Sequence, residues 1–147
     1  MRDRFSSTLK SKNLPYITPS EERDTPHGTR RVAFVLLEHF SMMAFTGAVD
    51  ALVTTNLMKA ATLYDVVAVG GESGATMSDL GIEVTTDLSL DAFDSASPPV
   101  DVLIVCGGLR VQPKSTPLLR NRLRSADAQG IVLGGLWNGA YFLAEAG

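Results

Sequence analysis

The chain has 147 residues, 45% of them apolar, enough for one domain with a real core, and its single cysteine, Cys106, excludes an internal disulfide. The net charge of −3 is unevenly placed: residues 1–31 carry seven Lys/Arg against four Asp/Glu, and residues 32–147 carry six against twelve. An acidic body argues against nucleic-acid binding by the domain itself, and no apolar run approaches the ~18 residues of a membrane span or forms a signal-peptide core, so a cytoplasmic protein is expected.

Residues 1–31 hold three prolines, scattered charges and few large apolar side chains. Such a composition buries too little surface to offset the entropy of ordering, and a disordered N-terminal extension is expected. The pattern changes at "VAFVLL" (32–37), a continuous apolar run of the kind found in a strand buried on both faces. Ser41 then caps a helix expected near 42–60, with Phe45, Val49, Leu52 and Val53 on one face. "LYDVVAVGG" (63–71) reads as a second strand, "GIEVTTDLSL" (81–90) as a short strand or hairpin, and "VDVLIVCGG" (100–108), after Pro98-Pro99, as a third long strand. Thr116-Pro117 pairs an N-cap with proline at the first helical position. The helix that follows has Leu119, Leu123 and Ala126 on one side and ends at Gly130. Strands alternating with helices predict a mostly parallel α/β sheet.

Several familiar motifs are absent. "VGGESGAT" is neither a dinucleotide fingerprint nor a phosphate-binding loop, and no cofactor is expected. His27 and His39 lie apart with no cysteine at ligand spacing, so no metal site is expected. Arg120, Arg122 and Arg124 read as a solvated helix face, with Asp127 available to Arg124 at i,i+3.

The chain closes on "IVLGGLWNGAYFLAEAG" (131–147), a buried-looking run, two glycines and then a helical pattern. This is the layout of a nucleophile elbow, in which Gly135 and Gly139 flank an apex that has no space for neighbouring Cβ atoms. The apex is Trp137, which cannot attack a substrate.

Three stretches together, "VAFVLLEHFSMMAFTGAVDAL" (32–52), "VDVLIVCGGL" (100–109) and "GIVLGGLWNGAYFLAEAG" (130–147), resemble the N-terminal domain of amidase-like AraC/XylS-type transcriptional regulators. That domain belongs to the ThiJ/PfpI branch of the class I glutamine amidotransferase-like superfamily. The resemblance spans essentially 31–147 and implies a flavodoxin-like three-layer sandwich over 32–147. It further implies that the domain is incomplete at its C-terminus and that a helix-turn-helix module, absent from this chain, binds DNA. Enzymes of the superfamily place a cysteine at the elbow apex, an acid shortly after the first strand and a histidine beyond the elbow. Here the apex is Trp137, the acid position falls in the apolar Met42-Met43, and the histidine would lie past Gly147. Cys106, at the end of a different strand, reads as a small buried hydrophobe despite Glu38 and His39 nearby, and no catalytic residue is expected.

In open α/β sheets ligands bind at the carboxyl ends of the strands. The loops Glu38–Ser41, Gly107–Lys114 and Leu136–Asn138 are therefore expected to build a pocket, with Trp137, Asn138, Gly108, Arg110, Phe40 and Met42 as its ligand-binding residues. The indole either fills space vacated by a reactive site or offers an aromatic face to a cation, while Arg110 meets a carboxylate and Lys114 either joins it or is an ordinary exposed loop charge. The leading expectation is a non-catalytic sensing and dimerising domain, binding a small effector such as an amine or amino-acid derivative. The alternatives are a ThiJ/PfpI-like hydrolase or carbonyl-processing enzyme with a non-standard nucleophile, and a degenerate protein-interaction domain.

Overall fold

The structure, a computed structural model, describes residues 28–59, 62–71, 74–94 and 99–147. Five strands, β1 (Arg30–Leu36), β2 (Tyr64–Gly70), β5 (Leu88–Ser89), β6 (Val102–Cys106) and β7 (Val132–Leu136), form one parallel sheet in the order β5-β2-β1-β6-β7. A separate antiparallel hairpin pairs β3 (Ala75–Met77) with β4 (Glu83–Thr85). The helices are α1 (Met42–Lys59), α2 (Pro117–Ala128) and α3 (Gly139–Ala146).

Period-two alternation along the strands sorts their side chains into two cores. Ala33, Val35, Val69, Leu103 and Val105 pack under α2 and α3 with Leu119, Leu123 and Phe142. Phe34, Leu36, Ala68 and Cys106 pack on the opposite face under Phe45 and Val49 of α1. The result is a helix–sheet–helix sandwich in which β1 is buried on both sides, as its unbroken apolar run requires. Chain order reverses between β1 and β6, since β1 pairs with β2 on one side and with β6 on the other. That is the topological switch point of the fold, where the loops at the strand ends splay apart.

Thr116 caps α2 by accepting from the Leu119 N–H at 3.1 Å, with Pro117 in the first turn. Two local expectations change. The strand begins at Arg30 rather than after Arg31, because the Arg31 N–H donates to Asp101 at 2.8 Å and its guanidinium pairs with Asp65 at 2.7 Å. The rest of the expected disordered extension, residues 1–27, lies outside the described residues. The arginines of α2 are ties rather than a solvated stripe. Arg122 donates to the carbonyls of Leu90 and Asp91, Arg120 pairs with Glu145, and Arg124 turns to the Ala146 carbonyl at 2.7 Å instead of to Asp127. They fasten α2 to α3 and to the end of β5.

Candidate functional site

Three strand ends are laced together at the carboxyl edge of the sheet. The Ser41 N–H donates to the Gly107 carbonyl at 2.9 Å, and the Gly107 N–H donates to the Leu136 carbonyl at 3.1 Å. Gly108 lies against the backbone of His39, Phe40 and Ser41, where a Cβ has no space. Asn138 closes the arrangement: its Oδ1 accepts from the Gly108 N–H at 2.9 Å and its Nδ2 donates to the Val111 carbonyl at 3.5 Å.

The elbow has the expected form. Trp137 sits at φ 55°, a left-handed conformation unusual for a large side chain. A Cβ on Gly135 would run into Gly139 and Ala140, and one on Gly139 would run into the Val105 carbonyl. The apex is therefore held by backbone packed on backbone. Trp137 is 61% exposed and is not sealed under Met42 and Phe45, since Phe45 is buried in the α1-side core.

Beside the elbow, on the α2–α3 side of the switch point, opens a cleft of about 510 Å³. This size falls in the roughly 300–1,000 Å³ range of small-molecule sites. Val35, Leu37, Val111, Leu119 and Phe142 give it an apolar floor. Glu38, Asp91, Arg110 and Lys114 put charge on its rim, and none of the four forms an ion pair with a described residue. His39 also lines it, held at φ 65° with its N–H donating to the Met77 carbonyl at 2.8 Å.

Of the six residues expected to bind ligand, the structure puts only Arg110 on this cleft. Trp137 stands outside it on the elbow. Asn138 and Gly108 hold the loop that forms one wall, with their polar groups engaged there. Phe40 is fully buried, edge-on to Phe45 at 5.5 Å, and Met42 is half-buried with its N–H donating to Asp79 at 3.1 Å. Lys114 does line the cleft. The contributions of Gly70, Gly71, Leu90, Asp91 and Thr116 were missed. The strand-ending glycines and the Thr116-Pro117 cap were visible in the sequence, but their convergence depends on strand order.

Cys106 is fully buried among apolar side chains, and burial pushes its thiol up to about 12. At neutral pH it offers essentially no thiolate. Among the described residues no group of three or more His, Cys, Asp or Glu is placed to hold a metal ion, and no helix is long and apolar enough to cross a membrane.

No protein-family model matches the chain. It is 34% identical over 114 residues to the HTH-type transcriptional regulator CdhR of Pseudomonas aeruginosa, covering 78% of this chain and 32% of that one. It is 30% identical over 120 residues to the HTH-type transcriptional regulator GlxA of Rhizobium meliloti, covering 80% and 36% respectively. The chain thus spans about a third of the length of these curated relatives. Among solved structures it resembles an AraC family transcriptional regulator from Pseudomonas putida, with 42% identity and a TM-score of 0.71 over 80% of this chain and 60% of that one. A ThiJ/PfpI domain protein from Brachyspira murdochii, at 14% identity and a TM-score of 0.66 over 81% of this chain and 65% of that one, shares the fold.

Proposed function

We propose that this chain, whose homologues are AraC/HTH-type transcriptional regulators and whose fold is that of the ThiJ/PfpI-like domain, is the non-catalytic effector-sensing and dimerising domain of a cytoplasmic regulator of that type. The observation that carries the reading is the cleft at the switch point, an apolar floor ringed by charges that form no ion pair among the described residues. Its ligand is a small metabolite such as an amine or amino-acid derivative, whose carboxylate meets Arg110. DNA is contacted through a helix-turn-helix module outside this domain. The non-catalytic part rests on two facts: the elbow apex is an indole, and the only cysteine is buried as a neutral thiol.

Trp137 is the sole tryptophan, so its emission reports on the edge of the sheet without a label. Titration with small amines and amino acids is expected to shift that emission, and Arg110→Ala to weaken binding roughly tenfold, about 1.4 kcal/mol. Binding that ignores Arg110→Ala would overturn the cleft assignment. The exposure of the indole favours a second reading, in which the elbow itself takes the ligand's cationic end by a cation–π contact of roughly 0.5–2 kcal/mol. Calorimetry on Trp137→Ala, which lacks the fluorophore, separates the two: a tenfold loss there with Arg110→Ala unaffected selects the elbow. Turnover of an amide or carbonyl substrate that disappears in Cys106→Ser but survives Trp137→Ala would instead favour an enzyme.

A further inference from the structure

The turn that leaves β1 carries a residue its geometry does not favour. The Phe40 N–H donates to the Leu37 carbonyl at 2.9 Å, closing a four-residue β-turn with His39 in its third position. His39 stands there at φ 65°. Such a position suits glycine or asparagine, because a Cβ crowds the neighbouring carbonyl. Among the described residues the only other non-glycine with a positive φ is Trp137, on the same edge of the sheet. The turn is held from three sides: the Leu37 N–H donates to the Cys106 carbonyl at 3.2 Å, the His39 N–H to the Met77 carbonyl at 2.8 Å, and the Asp79 N–H to the Phe40 carbonyl at 2.9 Å. It cannot relax around its side chain without breaking these bonds. No polar contact within the chain offsets the strain, since the imidazole makes no hydrogen bond or ion pair with a described residue.

His39 is half-buried and lines the cleft, and strand order gives its place there. In the order β5-β2-β1-β6, Asp91 lies just past β5 and Glu38 just past β1, whereas Arg110 and Lys114 follow β6. The acidic and basic rims therefore occupy opposite sides of the cleft, with His39 beside Glu38 on the acidic one. Neighbouring strands are about 4.8 Å apart, so the ends of β5 and β6 stand roughly 14 Å from each other. Gly70 and Gly71, at the end of β2, put no side chain between the rims. A metabolite with its carboxylate at Arg110 thus directs its cationic end toward Glu38, His39 and Asp91.

We propose that His39 is the specificity-determining residue of the cleft: its imidazole accepts a hydrogen bond from the metabolite's ammonium group, so that primary amines are taken and fully N-methylated ones refused. A neutral imidazole presents one ring nitrogen as an acceptor. A primary ammonium has N–H groups for that nitrogen and for a carboxylate of the acidic rim at once, whereas a trimethylammonium has none to donate. The methylated form would desolvate the ring nitrogen and leave it unpaired. A site built around a hydrogen bond rejects an analogue that lacks it far more sharply than an apolar pocket rejects an extra methyl. Strained residues persist at ligand clamps where the surrounding structure over-determines them, as the backbone bonds from Cys106, Met77 and Asp79 do here. This role rests on the cleft reading of the proposed function and adds to it the class of amine that the cleft takes.

The test is isothermal titration of the full chain at about pH 8, where an ordinary imidazole is neutral. The probes are the ordinary amino acids, β-alanine and ε-aminocaproate, each beside its N-trimethyl counterpart. The wild-type chain is expected to take at least one primary amine about tenfold or more tighter than its trimethyl form. His39→Gly should bind that amine about tenfold more weakly and leave the trimethyl form within about twofold. The same variant should melt about 3 °C higher, because the turn position suits glycine. Stability gained as binding is lost is a signature that a merely structural histidine would not give. His39→Asn tolerates the same φ and keeps a side-chain acceptor, so it should hold binding within about threefold of wild type. Trimethyl forms bound as tightly as the primary amines, a His39→Gly chain that binds unchanged or melts no higher, or His39→Asn as weak as His39→Gly would each overturn the role of His39. If that happens while Arg110→Ala still weakens binding, the sensing cleft stands without it. If no probe binds the wild-type chain, the cleft reading and the role of His39 fall together.

Discussion

The elbow and the cleft share one edge of the sheet and are built in opposite ways. At the elbow, backbone meets backbone: Gly135 and Gly139 leave no space for a Cβ, and Trp137 is bent to φ 55°. The cleft is walled by the loops after β1, β2, β5 and β6 and by residues of α2 and α3, around about 510 Å³ of open space. A tight turn with an inert side chain at its apex still has a structural role, because Asn138, one residue past the apex, holds the loop that carries Arg110. The comparison teaches that a strained turn can be required by its neighbours' hydrogen bonds, independent of chemistry at its apex. Rigid backbone at the elbow positions the Arg110 loop at the cleft.

The most severe way to break that relation is Gly139→Ala. Its methyl would be driven into the Val105 carbonyl, and neither β6 nor α3 can yield without opening the core. A loss above about 4 kcal/mol is expected, seen as the absence of a cooperative melt. Next is the buried thiol beneath the elbow. Cys106 stays neutral in the folded chain to about 12 but ionises near its ordinary value of 9.0 once unfolded. Stability is therefore complete below pH 9 and declines as pH rises toward 12. The loss is on the order of 4 kcal/mol, measured as the pH-dependent difference between wild type and Cys106→Ala. A flat difference would mean that the thiol is less buried than the fold places it.

Asn138→Ala separates the two regions without crushing either. It strips the acceptor from the buried Gly108 N–H, so denaturant melts should show a loss of about 1–3 kcal/mol. Metabolite binding should weaken as the Arg110 loop loosens, and an unchanged affinity would show that the elbow does not support the cleft. The mildest change is Thr116→Ala, at the cleft mouth and away from the elbow. It removes the cap on the Leu119 N–H and should cost about 1 kcal/mol, a few degrees of melting temperature.

What the sequence determined by itself was local. The apolar run at 32–37, the Thr116-Pro117 cap, the buried stripe Leu119, Leu123 and Ala126, and the glycines around Trp137 are all properties of neighbours in the chain, and each stands where its pattern placed it. Chain sterics and period decide such features within a turn or two. Tertiary structure decided the rest. The cap on α1 is shared between Ser41 and Asp79, which lies 37 residues from the Met42 N–H it receives. The arginines of α2 found the carbonyls of Leu90 and Asp91, just past β5, and of Ala146 at the end of α3. Phe40 was drawn into the core, and the cleft formed from strand ends far apart in sequence. These outcomes depend on which strands become neighbours. A parallel sheet fixes that through crossovers longer than any local pattern reaches, so the elbow was readable residue by residue and the cleft beside it existed only once the sheet had closed in the order β5-β2-β1-β6-β7.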